Sequence, residues 1–227
     1  DVSGVMQKKD QSTGMAFITV NKEGDNSITV VAGANGTVSP AEIDQHISLL
    51  EQADLVLLQM EIPVETVCHA AKTARAMGKT VILDPAPVPK VFPEELYQYA
   101  DLIKPNETEL SMLTGIDCTE ENVAQAAAAL RAKGVKHVVV NLGDKGVYLD
   151  SEQYGKQRIP ALKVKAVDTT AAGDTFTAAV AVMLASGKGL PEAVSFANRV
   201  SSIVVTRKGA QSSIPGMDEV EAVYGKQ

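Results

Sequence analysis

Short apolar runs alternate with longer amphipathic stretches along most of the chain, and this rhythm predicts its elements. Met15-Ala-Phe-Ile-Thr-Val20 and Ser27-Ile-Thr-Val-Val31 are β-branched runs separated by the turn formers Lys22-Glu-Gly-Asp-Asn26. They are expected to pair as an antiparallel hairpin, which is marginal on its own in water and calls for further strands or a partner chain. Ser39-Pro-Ala-Glu42 is a capping box with Pro at the first helical position, and predicts a helix to about Glu51. Asp54 to Gln59 reads as a buried strand, and a helix from about Val64 to Met77 stops at Gly78. Strands follow at 80–83, 101–103 and 136–140, with helices near 107–114 and 120–133. A turn at Gly143 to Gly146 leads to Val147-Tyr-Leu149, and Leu162-Lys-Val-Lys-Ala166 is read as a further strand. The last third is helical, near 173–186, 191–206 and 217–223.

Continuous apolar strands alternating with helices define an α/β fold whose mostly parallel central sheet is covered on both faces. The expectation is one α/β domain with a small β appendage at its N-terminal end. The 227 residues are enough for such a core. Lys and Arg number 21 against 28 Asp and Glu, a net charge of −7, so no basic surface is available for nucleic acid. An anionic ligand must then be held by a local device such as a helix N-terminus, backbone N–H groups or a bound cation. Low aromatic content (4%) leaves little scope for stacking single-stranded bases. The sequence holds no apolar run of 18 residues and no basic-then-apolar leader, so no membrane association is expected. Cys68 and Cys118 form no CxxC motif and suit a reducing cytoplasm. The chain opens on Asp1 within a polar stretch, as expected for a piece of a longer protein.

In parallel sheets ligands bind at the carboxyl ends of the strands, and four loops there carry candidate chemistry. Asp168-Thr-Thr-Ala-Ala-Gly-Asp-Thr-Phe176 precedes an apolar helix. Small residues at Ala171, Ala172 and Gly173 let a ligand approach N–H groups at the positive end of a helix dipole, and Asp174 stands on the same turn as a candidate proton acceptor. The alternative is that Asp174 only complements the dipole. In Lys104-Pro-Asn-Glu-Thr-Glu109, Asn106 and Glu109 have N-x-x-E spacing, which serves either a helix cap or a phosphate with hydrated Mg²⁺. Asn141-Leu-Gly-Asp-Lys-Gly146 suits a hairpin turn or a loop lying against a nucleotide. Val204-Val-Thr-Arg-Lys-Gly-Ala-Gln-Ser-Ser213 offers freed carbonyls and hydroxyls to a monovalent cation, or else a basic end to its helix.

Other chemistries are absent from the pattern. The sequence has no GxxxxGK[ST], no GxGxxG after a strand, no GxSxG, no HExxH and no Cys/His cluster. His46 and His69 are expected within helices and His137 in a strand, all as packing or surface residues.

Taken together and in this order, the four loops resemble those of the PfkB carbohydrate kinases, whose C-terminal signature DTxGAGD or DTxAAGD is matched by Asp168 to Asp174. Val205-Thr-Arg-Lys-Gly-Ala-Gln-Ser-Ser-Ile-Pro215 and Lys104-Pro-Asn-Glu-Thr-Glu109 are similar to its ribose-phosphorylating members. The resemblance implies a three-layer α/β sandwich over residues 34–227 and a β lid over 12–33 that pairs two subunits into a homodimer. It implies ATP-dependent phosphorylation of D-ribose at O5, with Asp174 as base and the N–H groups of Ala171, Ala172, Gly173 and Asp174 as an anion hole. Asn106, Asn141, Gly143, Asp144, Lys145, Gly146 and Asn198 would face ATP, Glu109 would organise Mg²⁺ through water, and Glu61 would contact the sugar. Asp168, Thr170, Val204, Arg207, Gly209 and Ser213 would surround an activating K⁺.

The family's opening strand with its sugar-binding Asp, its further lid strands and its Gly-Gly-Lys-Gly-Ala-Asn segment have no counterpart in this sequence. Ala32-Gly-Ala-Asn-Gly36 corresponds instead to the loop after the lid. The expected sugar pocket is therefore about half built. A related kinase for deoxyribose or fructose, and a nucleotide-binding fragment without kinase activity, are the alternatives.

Overall fold

The computed structural model describes residues 1–20 and 26–225. Strands β1 (Met15–Val20) and β2 (Asn26–Val31) pair antiparallel as a separate two-stranded sheet, with Met15 opposite Val31 and Phe17 opposite Thr29. Of the turn expected at Lys22 to Asn26, residues 22–25 lie outside the described residues.

The main sheet has six strands in chain order: β3 (Leu55–Leu58), β4 (Thr80–Leu83), β5 (Leu102–Ile103), β6 (His137–Asn141), β7 (Val147–Ser151) and β8 (Gly155–Ile159). The first four are parallel and the last two antiparallel. Their period-2 alternation divides the core into two. Val81, Leu83, Ile103, Val138 and Val140 pack beneath α3 (Val64–Ala76), α4 (Leu96–Tyr99), α5 (Glu107–Thr114) and α6 (Val123–Arg131). Ile82, Leu102, Val139, Val147 and Leu149 face α7 (Ala172–Ala185), α8 (Leu190–Val204) and α9 (Met217–Tyr224) on the other side. Both faces are thus covered over β4 to β7, as the unbroken apolar strands require, whereas Leu57 of the edge strand β3 stays exposed.

Most expected elements form within a few residues of their predicted ends, and Gly78 ends the α3 turn with φ +73°. Two expectations fail. The helix after Ser39 is two short ones, α1 (Pro40–Gln45) and α2 (Ile47–Gln52), so His46 sits at a break rather than within a helix. Its Nδ1 lies 2.9 Å from the Glu42 carbonyl, and this side-chain bond competes with the helical ladder. Leu162 to Ala166 forms no strand: Leu162 and Val164 stay exposed, because their alternation has no buried face to serve. The sheet ends instead on β8, missed because an edge strand needs little apolar character. Its Arg158 lies over the Tyr148 ring at 5.7 Å.

The β6–β7 connection is the hairpin turn that the Gly143 to Gly146 spacing allowed. Leu142 N–H donates to the Gly146 carbonyl at 2.8 Å, and Gly146 adopts φ +93°. A Cβ at Gly146 would collide with the Ile159 carbonyl oxygen and with the backbone of Pro160 and Ala161. Gly146→Ala is expected to destabilise the fold by about 2 kcal/mol or more, read by urea unfolding; a change within about 0.5 kcal/mol would contradict this close approach.

Candidate active site

The carboxyl ends of β3, β4 and β5 reach the start of α7 through Gln59, Asp84 and Lys104. Helix α7 begins after Ala171, which holds φ +61° and is the single non-glycine residue at positive φ among the described residues. That conformation costs an L-residue about 1–2 kcal/mol and recurs where function requires it. Ala172 N–H closes a turn onto the Thr169 carbonyl at 3.2 Å, so one of the four expected anion-hole donors is already engaged. No backbone carbonyl among the described residues takes the N–H of Gly173 or Asp174. Asp174 is exposed, and its Oδ1 accepts a hydrogen bond from Gln59 Nε2 at 3.3 Å. Gln59 follows directly after β3 and brings that strand end to α7. Glu61, two residues on, is also exposed, and no hydrogen bond joins it to Asp174.

After β5, Asn106 caps α5. Glu109 N–H donates to Asn106 Oδ1 at 2.8 Å, and the Glu109 carboxylate accepts from Asn106 N–H at 2.8 Å and from Asn106 Nδ2 at 2.9 Å. The helix-cap reading of this motif therefore holds, and it orients both side chains. Burial raises the Glu109 carboxyl above its usual range; the Asn106 N–H and Lys104 oppose that rise and Asp84 adds to it.

Asn141 and Asn106 form an isolated parallel bridge, which sets the β6 loop beside the Asn106 loop. Asn141 Oδ1 is buried without a hydrogen-bond partner among the described residues. Gly143, Asp144 and Lys145 are exposed around it, and Lys145 pairs with Glu107 at 3.2 Å. Asn198, on α8, donates to the Pro160 carbonyl at 2.8 Å.

The Asp168 loop is tied to the end of α8. Val167 N–H and Asp168 N–H both reach the Val205 carbonyl, at 2.7 and 3.2 Å. The Asp168 carboxylate accepts from Thr170 Oγ1 at 2.7 Å, Thr170 N–H at 3.0 Å and Gly209 N–H at 3.0 Å. These bonds, the Thr170 hydroxyl first, hold the Asp168 carboxyl down at about 2. Val204 contributes a carbonyl that accepts from Arg207 N–H at 3.0 Å, and the fully buried Ser213 donates to Ala210 at 2.7 Å. The Arg207 guanidinium pairs with Glu219, 3.2 Å distant.

Sequence reasoning did not single out Gln59, Asp84 or Thr177, and treated Lys104 only as part of a motif. Asp84 and Lys104 leave adjacent strands and pair at 2.7 Å, both buried, and Thr177 Oγ1 lies 2.9 Å from Asp84 Oδ2. The available signal was two opposite charges placed directly after two apolar runs. A cavity of about 380 Å³ at the opposite, amino-terminal end of the sheet is not a rival site. Its Lys136 is bound to Asp101 at 2.7 Å and its Lys188 to Glu192 at 2.8 Å.

Residues 1–217 match the pfkB family carbohydrate kinase model, and the chain belongs to that family. Within it, the chain is similar to ribokinases. It is 41% identical to the ribokinase of Staphylococcus aureus over 98% of this chain and 73% of that one. The Thermotoga maritima ribokinase structure superposes with a TM-score of 0.84 at 46% identity, over 93% of this chain and 69% of that one. The Arabidopsis thaliana ribokinase, solved with ribose and ATP, gives 0.85 at 38% identity, over 94% and 70%. No helix among the described residues is long and apolar enough to cross a membrane.

The depressed Asp168 carboxyl has a testable sign. Its ties are present above the unfolded carboxyl range near 4 and are lost as pH falls through about 2. In Thr170→Val the Asp168 carboxyl should titrate about a unit or more higher than in the parent, followed by carboxyl ¹³C shifts. An unmoved titration would show that the Thr170 hydroxyl is not its main partner.

Proposed function

We propose that this chain is an ATP-dependent kinase that phosphorylates D-ribose at O5. The main support is Asp174, an accessible carboxylate on the helical turn whose Gly173 and Asp174 N–H groups have no backbone partner. The likeness to an enzyme crystallised with ribose and ATP supports the substrates.

In this reading Asp174 takes the proton of the sugar 5-hydroxyl as O5 forms a bond to the γ-phosphorus. The bond from that phosphorus to the β-γ bridging oxygen breaks, and ADP departs with its electron pair. Gly173 and Asp174, with Ala171 and the partly engaged Ala172, meet the negative charge of the transferred group. Gln59 orients Asp174, and Glu61 contacts the sugar. Asn106 faces the phosphates, while Asn141, Gly143, Asp144, Lys145, Gly146 and Asn198 line the nucleotide site; the partnerless Asn141 Oδ1 suits a ligand donor.

Glu109 fits hydrated Mg²⁺, which needs few carboxylates and supplies charge neutralisation on the phosphates. The K⁺ set is an all-oxygen collection: the Asp168 carboxylate, Thr170, the carbonyls of Val204, Arg207 and Gly209, and Ser213. Asp168 stays ionised to about pH 2, as a hard cation requires. Held by these oxygens, K⁺ would supply the charge that fixes the loop carrying the anion hole. Strands β1 and β2 belong to the lid, and the exposed Met15, Phe17, Val30 and Val31 support pairing with a second subunit.

A coupled assay for ADP release, with D-ribose set against deoxyribose and fructose and nucleotide binding measured alongside, tests this reading. D-ribose should give the highest kcat/KM, and nucleotide binding without turnover on any sugar would support a binding fragment instead. Asp174→Asn should lower kcat by about 10²–10⁴-fold with ATP affinity nearly unchanged, and a variant keeping most of its turnover would remove Asp174 as base. Turnover should also be higher in K⁺ than in Na⁺ at equal ionic strength; equal rates in the two salts would sink the Asp168 site.

A further inference from the structure

Asp84 and Lys104 have no part in the chemistry above, yet theirs is the single ion pair among the described residues with both side chains buried, 4% and 6% exposed. Asp84 follows β4 and its N–H donates to the Leu58 carbonyl of β3; Lys104 follows β5 and its N–H donates to the Leu83 carbonyl of β4. Three strand ends thus meet at these two residues, whose side chains form the buried pair. Asp84 Oδ2 also lies 2.9 Å from Thr177 Oγ1, one turn into α7. The same hydroxyl is 2.9 Å from the Gly173 carbonyl and donates to one oxygen or the other. Lys104 Nζ lies against that turn, since a Cβ at Gly173 would stand 3.5 Å from it. Asp84 Oδ1 has no hydrogen-bond partner among the described residues.

A buried ion pair rarely improves on well-packed apolar residues of the same size, and an unpaired buried acceptor adds a desolvation cost. Stability alone does not account for these groups at this joint. They join the ends of β4 and β5, from inside the core, to the turn that carries Gly173 and Asp174.

We propose that Asp84 and Thr177 are positioning residues for phosphoryl transfer: the carboxylate, held by Lys104, clamps the first turn of α7 to the ends of β4 and β5. This sets Gly173 and Asp174 relative to Asn106, across the space a terminal phosphate would occupy. The inference rests on the kinase reading for its ligand, and a binding measurement separates the two.

Thr177→Val keeps the side-chain shape and leaves the Asp84–Lys104 pair intact, whereas Thr177→Ser keeps the hydroxyl. Calorimetry with Mg²⁺ and either a non-hydrolysable ATP analogue or ADP reads the clamp, because only the triphosphate reaches the anion hole. In Thr177→Val the affinity for the ATP analogue should fall about tenfold while that for ADP stays within about twofold; Thr177→Ser should match the parent for both. Where the parent turns over, kcat should fall at least as much in Thr177→Val, with KM for the sugar nearly unchanged.

Equal losses for both nucleotides, or no loss for either, would overturn the clamp. So would a Thr177→Ser variant as impaired as Thr177→Val. A parent that binds both nucleotides but phosphorylates no sugar overturns the kinase reading alone, and the affinity ratio still decides the clamp. A parent that binds neither overturns both.

Discussion

The charge pair of Asp84 and Lys104 is the joint on which the geometry of this molecule turns. Buried charge is expensive in a protein interior, and removing one member of such a pair costs about 3–5 kcal/mol. Here it lies where β4 and β5 end and where α7 begins, with Thr177 completing it. Among the described residues the two halves of the core form separate apolar clusters on opposite faces of the sheet. At the carboxyl edge, polar groups must therefore transmit position from the α3–α6 side to the α7–α9 side. An apolar residue at position 84 would fill the same space without specifying the direction of approach of α7.

The acidic balance of the chain makes local fixing of charge more important. With a net charge of −7, the overall field repels a nucleotide triphosphate, and attraction has to come from oriented groups at short range. Gly173 and Asp174 supply N–H donors, Lys104 stands close beneath them, and Asp168 gives the adjoining loop a carboxylate that stays ionised to about pH 2. Such groups act only over a few ångströms, so their placement matters more than their number.

Much of this was legible in the chain before any coordinates. The strands at 55–58, 80–83 and 137–141 are apolar, free of Gly and Pro, and bounded by turn residues, and α5 begins at the N-x-x-E cap its sequence announces. What stayed hidden has particular causes. Gly155–Ile159 is an edge strand, and four of its five residues carry little apolar signal. Leu162 to Ala166 alternates like a strand but has no buried face to serve. His46 breaks a helix through a bond of its own ring to Glu42, which no periodicity reveals. In the site, the signature residues were visible because their spacing is local. Asp84 and Thr177 are 93 positions apart, and only the folded sheet brings them within 2.9 Å.

The start of α7 is restrained from three directions, and the directions differ in kind. Gln59 reaches Asp174 from β3 through a long, half-exposed side chain at 3.3 Å, the weakest of the three ties. The Asp84 clamp acts from inside the core, where low dielectric strengthens it. From the far side, the Val205 carbonyl and Gly209 N–H hold residues 167 and 168 against the end of α8. Between the last two lies Ala171, at φ +61°, a conformation that a free loop would relax. The strain persists because both of its flanks are anchored, one in the core and one on the helix behind it. Phosphoryl transfer gains most of its rate from positioning and charge rather than covalent chemistry, so a strained turn held on both sides is the form of rigidity that reaction can use.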